Sequence, residues 1–117
     1  MPDYKIVSAK DVKNKLEEGG DVLVINVLSE SSFNSMHIPG SINIDVHQDD
    51  FLENVKKATG GDKDKEIIVH CSSESCQASP GAARKLVEAG YTNVADFEGG
   101  LAGWKEAGYK LEGAMAE

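Results

Sequence analysis

The chain has 117 residues, 40% of them hydrophobic and 27% charged, and carries a formal net charge of −8 from 12 basic and 20 acidic residues. That size supports one domain, residues 1–117, with a single core that needs neither metal nor disulfide staples. The acidic balance, unbroken by any basic cluster, argues against nucleic acid and anionic membranes as partners, and no apolar run nears the roughly 20 residues of a membrane-spanning helix.

The start, Met1-Pro2-Asp3-Tyr4-Lys5, has no basic-plus-apolar signal pattern, so the chain reads as cytoplasmic. Residues 4–7 form a short strand candidate. Ser8 then suits the N-cap of a helix that carries Asp11, Val12, Leu16 and Glu17 and stops at Gly19-Gly20. Residues 21–27 are a nearly continuous β-branched run, the pattern of a strand covered on both faces. A short helix over 29–36, a turn at His37-Ile38-Pro39-Gly40 and an alternating strand over 41–44 follow. Phe51, Leu52 and Val55 lie at helical spacing within 49–58, before the breaker run Thr59-Gly60-Gly61-Asp62. Next comes the apolar strand Glu66-Ile67-Ile68-Val69-His70-Cys71, then a polar loop and a helix over 80–89 stopped by Gly90. A last strand over 92–97 leads through Gly99-Gly100 into a short helix over 101–107. Strand and helix alternate throughout, which predicts an α/β fold with a mostly parallel central sheet and helices on both faces. In such folds ligands bind at the carboxyl ends of the strands, where Cys71 is placed.

The residues around Cys71 point to thiol chemistry. Ser79 is predicted to accept from the first free amides of the next helix, and Pro80 suits its first position because no donor is lost there. A thiol at the lip of such a loop meets N–H groups and a helix dipole that favour negative charge, which lowers a cysteine pKa from about 8.5 toward the physiological range. Cys71 is therefore the candidate nucleophile, and Ser72, Ser73, Glu74, Ser75, Gln77, Ala78 and Ser79 the candidate substrate-binding loop. Cys76 is either a resolving thiol or an inward-turned packing residue. His70 neighbours Cys71 on a strand and so points to the opposite face, which suits a packed or exposed strand residue better than a general base. Arg84 reads as a solvated helix residue, Trp104 as core, His37 as part of its turn and the acidic run around Asp45, Asp49, Asp50 and Glu53 as a solvated face. The three histidines and two cysteines have no zinc spacing, and no metal or organic cofactor is expected.

Over nearly its whole length the chain resembles the single-domain rhodanese-like sulfurtransferases. The resemblance rests on Val24-Ile25-Asn26-Val27 with His37-Ile38-Pro39-Gly40-Ser41-Ile42-Asn43-Ile44, on Ile68-Val69-His70-Cys71, and on Ala83-Arg84-Lys85-Leu86 with Gly90-Tyr91. Asn93-Val94, Glu98-Gly99-Gly100 and Trp104 complete it. It implies that Cys71 carries sulfane sulfur as a persulfide, loaded by thiosulfate or another small donor and unloaded to cyanide, a thiol or a partner protein.

Three departures modify that expectation. Asn26 and Leu28 stand where the family often has an Asp and an Arg. Seven residues, Ser72 to Ala78, separate the cysteine from the serine, more than is usual in the family. Ala78 replaces the arginine that commonly precedes that serine, and Glu74 adds a negative charge. Opposed charges in contact are worth about 1 kcal/mol in water and about 4 at an effective dielectric of 20, so thiosulfate should bind weakly. A non-catalytic rhodanese-like module that binds a partner or senses redox state through a Cys71–Cys76 disulfide is the second reading. A phosphatase or arsenate reductase would need a Cys-x5-Arg loop, which Gln77 and Ala78 do not supply.

Overall fold

The computed structural model describes residues 4–73 and 75–115. The opening Met1-Pro2-Asp3 and the loop residue Glu74, both used in the sequence reading, lie outside them.

Five strands form one parallel sheet in the order β1-β5-β4-β2-β3, where β1 is Lys5–Val7, β2 Val22–Asn26, β3 Ile42–Asn43, β4 Glu66–His70 and β5 Val94–Phe97. Register is set by long apolar pairings in the centre: Val24 opposes Ile68 and Ile25 opposes Val69 across β2 and β4, and Ile68 opposes Ala95 across β4 and β5. Ile67, Ile68 and Val69 are at most 1% exposed, which confirms that the uninterrupted run of β-branched residues marks a strand covered on both sides. Burying each such side chain contributes about 1.5–3 kcal/mol.

The helices α1 (Ala9–Glu17), α2 (Glu30–Ser35), α3 (Phe51–Thr59), α4 (Ala78–Glu88) and α5 (Gly100–Glu106) connect or follow the strands. One face of the sheet packs Ile25, Ile67, Val69 and Cys71 against Phe51 and Val55 of α3 and Ala82, Ala83 and Leu86 of α4. The other packs Val24, Ile68 and Phe97 against Val12 of α1, Ile38, and Leu101 and Trp104 of α5. Ser8 caps α1 as expected: its hydroxyl accepts from the Asp11 N–H, and the Asp11 carboxylate accepts from the Ser8 N–H. No helix among the described residues is long and apolar enough to cross a membrane.

The His-Ile-Pro-Gly turn is held from three sides. The His37 ring stacks on Phe33 with centroids 4.1 Å apart, its Nδ1 donates to the Phe33 carbonyl at 2.8 Å, and its backbone exchanges two hydrogen bonds with Glu112. Ile38 then drops fully into the core. Trp104 is core as well, with its Nε1–H donating to the Lys110 carbonyl at 2.9 Å.

Chain direction makes one place in the sheet special. From the carboxyl end of β2 the chain runs outward through α2 to β3, and from the adjacent β4 it runs the opposite way through α4 to β5. The two connections part there, which is the usual location of a site in an open parallel sheet.

Candidate active site

Cys71 is the first residue beyond β4, at that parting point, and is 1% exposed. Its backbone is fixed from the far side by α5. The Leu101 N–H donates to the Cys71 carbonyl at 3.1 Å and the Ala102 N–H to the Ser72 carbonyl at 2.9 Å. The approach is so close that a side chain at Gly100 (φ +58°) would place a Cβ 2.9 Å from the carbonyl carbons of both Cys71 and Ser72. At Gly99 a Cβ would lie 3.1 Å from the Phe97 ring and 3.2 Å from the Gly103 Cα. The Gly-Gly pair thus lets α5 press its first amides onto the start of the cysteine loop. Neither close approach is visible in a sequence, although the paired glycines are its signature.

Cys71 and Cys76 form a disulfide, their Cα atoms 6.4 Å apart. Between them the loop turns tightly, with the Cys76 N–H donating to the Ser73 carbonyl at 3.1 Å and the Ser73 and Ser75 hydroxyls 3.0 Å apart. Cys76 is partly buried and packs against the α3–α4 side of the core, with its sulfur bonded to Cys71. Ser72, Ser75 and Gln77 are exposed, and Ser73 is half-buried. Glu74 lies outside the described residues.

The Ser-Pro pair predicts a helix from Pro80 with Ser79 as its cap. The helix instead begins two residues earlier, at Ala78, with Gln77 in the cap position and the Gly81 N–H donating to the Gln77 carbonyl at 3.2 Å. Pro80 is tolerated because every N–H of the first turn lacks an intrahelical acceptor, not the first alone. Ala78 and Ser79 are therefore helix residues, not loop residues. Ser79 is buried with its hydroxyl 3.4 Å from Cys71 Sγ. A disulfide sulfur has no proton to give, so here the hydroxyl is the donor; toward a reduced Cys71 it can donate or accept.

His70 is fully buried, on the opposite face from Cys71, beside Phe97. Its Nδ1–H donates to the Cys71 carbonyl at 3.2 Å, and its Nε2 has no partner among the described residues. Burial is the larger influence and lowers its pKa from 6.5 to about 4, against the opposing pull of that hydrogen bond. It is a neutral packing residue; of the two strand roles open to it, packed or exposed, the structure gives the packed one.

Asn26 and Leu28 are tied by hydrogen bonds. The Leu28 N–H donates to Asn26 Oδ1 at 2.9 Å, and Asn43 Nδ2 donates to the carbonyls of Leu28 at 2.8 Å and Asn26 at 3.1 Å. Neutral amides thereby fix the loop after β2 without an ion pair. Arg84 is exposed, as expected for a solvated helix residue. Asp96 escapes the sequence reading altogether: a carboxylate within β5, wholly buried, next to Ser79. The signal available was an acidic residue inside an apolar strand.

The model of the rhodanese-like domain matches residues 8–107. The chain belongs to the rhodanese-like domain family. It is 29% identical to the thiosulfate sulfurtransferase GlpE of Shewanella oneidensis over 92% of its own length and 98% of that protein. It is also 29% identical to the HTH-type transcriptional regulator Rv0324 of Mycobacterium tuberculosis, covering 95% of this chain but only 46% of the regulator. The crystal structure of the BH2092 protein from Bacillus halodurans superimposes with a TM-score of 0.84 over 96% of this chain and 79% of that one, at 24% identity, and shows the shared rhodanese-like fold.

Proposed function

We propose that the protein is a sulfurtransferase in which Cys71 carries sulfane sulfur as a persulfide and yields it to a thiol, cyanide or a partner protein, with Cys76 as resolving thiol. The observation that carries this reading is the pairing of Cys71 with Cys76 at the carboxyl end of the central strand. A thiolate able to reach Cys71 Sγ can attack a persulfide there. Cys76–S⁻ and Cys71–S–SH then give the Cys71–Cys76 disulfide and HS⁻, with the electron pair of the broken S–S bond leaving on sulfide. Two thiols of a cytoplasmic reductant, or one dithiol, return the pair to the reduced state. Attack on the outer sulfur instead moves the persulfide to Cys76 and frees the Cys71 thiolate.

Thiosulfate is a poor donor in this reading. Residues 72–78 contain no cation, and the nearest arginine in sequence, Arg84, is exposed on α4. A second reading, a redox-sensing module, draws on the same disulfide and on the likeness to a protein named as a transcriptional regulator.

The two separate by intact mass. Reduced protein incubated with polysulfide should gain one sulfur on Cys71 in a Cys76→Ser variant and lose it to cyanide. The parent should release sulfide and end two hydrogens lighter than its reduced form. No adduct from polysulfide or thiosulfate on Cys76→Ser, with a disulfide forming in the parent under mild oxidant, would establish the sensor and overturn the enzyme.

A further inference from the structure

The disulfide presents two unequal sulfurs. Cys71 is 1% exposed, and the backbone around it is tied to α5 through its own carbonyl and that of Ser72. Cys76 is partly exposed and lies just before α4, between the exposed Ser75 and Gln77. A thiolate that opens a disulfide bonds to one sulfur and expels the other, so access decides which sulfur is taken and which leaves. Burial therefore makes Cys76 the sulfur under attack and Cys71 the leaving group.

The polar surroundings agree with that division. A thiolate leaves faster the better its charge is accommodated. Cys71 Sγ has the buried Ser79 hydroxyl 3.4 Å away, on the second residue of α4, where the helix dipole also favours negative charge. Residues 72–78 hold no cation that could take its place, and the Ser73 and Ser75 hydroxyls face each other at 3.0 Å. The Ser73 carbonyl, 4.0 Å from Cys71 Sγ, is an acceptor already engaged by the Cys76 N–H, and it suits a thiol rather than a thiolate. No hydroxyl faces Cys76 Sγ among the described residues as Ser79 faces Cys71.

We propose that a thiol reductant opens the Cys71–Cys76 disulfide at Cys76, and that the Ser79 hydroxyl holds Cys71 as the departing thiolate. The reductant thiolate R–S⁻ bonds to Cys76 Sγ while the S–S bond breaks with its electron pair on Cys71, giving R–S–S–Cys76 and Cys71–S⁻. Ser79 Oγ–H, which donates to a neutral sulfur in the disulfide, then donates to an anion, and that bond is the stronger one. A second thiolate of the reductant attacks the reductant sulfur of the mixed disulfide, forms the reductant's own disulfide and frees Cys76 as a thiolate. The cysteine pair gains two electrons and the reductant loses two. Both readings of the function share this disulfide, so its opening at Cys76 holds whether or not Cys71 takes up sulfur.

The oxidised full chain, with glutathione as the thiol and no sulfur donor, provides the test. Samples are quenched in acid early in the reaction, and tandem mass spectrometry of the peptide over 66–84 locates the added glutathione. It should sit on Cys76, with Cys71 free. Ser79→Ala should slow the opening about five- to tenfold, the loss expected when a hydrogen bond to a charged group is removed and about half of the charge has developed. In a Cys71→Ser background, where no sulfur departs, the same Ser79→Ala change should leave the alkylation rate of Cys76 as it was, which separates an action on the leaving thiolate from a disturbed loop. The glutathione map needs no variant and stands even if Ser79→Ala does not fold. Glutathione mainly on Cys71, or equally on both, overturns the proposal, as does an unchanged opening rate in a folded Ser79→Ala protein or an equal slowing of Cys76 alkylation. A protein that opens at Cys76 but takes up no sulfur on Cys71 overturns the sulfurtransferase reading and leaves this one standing.

Discussion

Acid should weaken this fold through His70 in a way that can be measured. The ring has one satisfied nitrogen, Nδ1, donating to the Cys71 carbonyl, and one with no partner, Nε2, in a face that also holds Phe97. Protonation would bury a cation and a second donor there. The folded chain resists this until about pH 4, whereas the unfolded chain takes the proton near pH 6.5. A base with a lowered folded pKa leaves stability intact above pH 6.5 and costs it progressively as the pH falls toward 4. Between those limits the slope is about 1.4 kcal/mol per pH unit, or about 3 kcal/mol over the window, against a total of about 5–15 for a domain of this kind. Urea unfolding of the parent and of His70→Gln at pH 7.5, 6.5, 5.5 and 4.5 measures it. The parent should lose stability more steeply than the variant by close to one proton over that range. Asp96 acts with the opposite sign: its raised pKa stabilises at low pH and that benefit is lost as the pH rises through it. Present in both proteins, Asp96 cancels in the difference. Parallel curves for parent and variant would refute the assignment.

Gly100→Ala forces a Cβ onto the backbone of Cys71 and Ser72 at a left-handed position, so thermal unfolding should show a loss of about 2–4 kcal/mol, with slower loading of Cys71 in whatever remains folded. Ser8→Ala removes the α1 capping box and should cost about 1 kcal/mol in urea unfolding without altering Cys71 alkylation. Thiosulfate:cyanide activity should be low and limited by a high KM for thiosulfate, while polysulfide loads readily; steady-state kinetics with both donors decides this, and a low KM for thiosulfate would show that the loop binds the anion without a cation.

Alternating strands and helices, the capped start of α1, the buried character of β2 and β4 and the strand-end position of Cys71 were all legible, because each rests on local periodicity or on a cap within a few residues. What the sequence hid is tertiary. Ser79 reads as a cap because serine before proline favours that role, yet the chain uses its hydroxyl against Cys71, and Gln77 takes the cap position without a side-chain bond. Asp96 gives no local signal of its role, because its burial depends on α4 covering β5. The spacing of Cys71 and Cys76 could not decide between packing and pairing, because the path of the loop between them is set by α4 starting at Ala78 and by α5 holding Cys71 and Ser72 in place.

That hold has a further consequence. The Cys71 carbonyl accepts from two directions, the Leu101 amide and the His70 ring, so both of its lone pairs are occupied and the peptide plane after Cys71 is pinned. Opening and closing of the disulfide must then be absorbed entirely downstream, between Ser73 and Gln77. In amide hydrogen exchange, Leu101 and Ala102 would keep the same protection in the reduced and oxidised protein, while the Cys76 amide would not. Anything that reads the redox state of this protein from outside must therefore touch the stretch between Cys71 and α4, where Ser72, Ser75 and Gln77 are exposed.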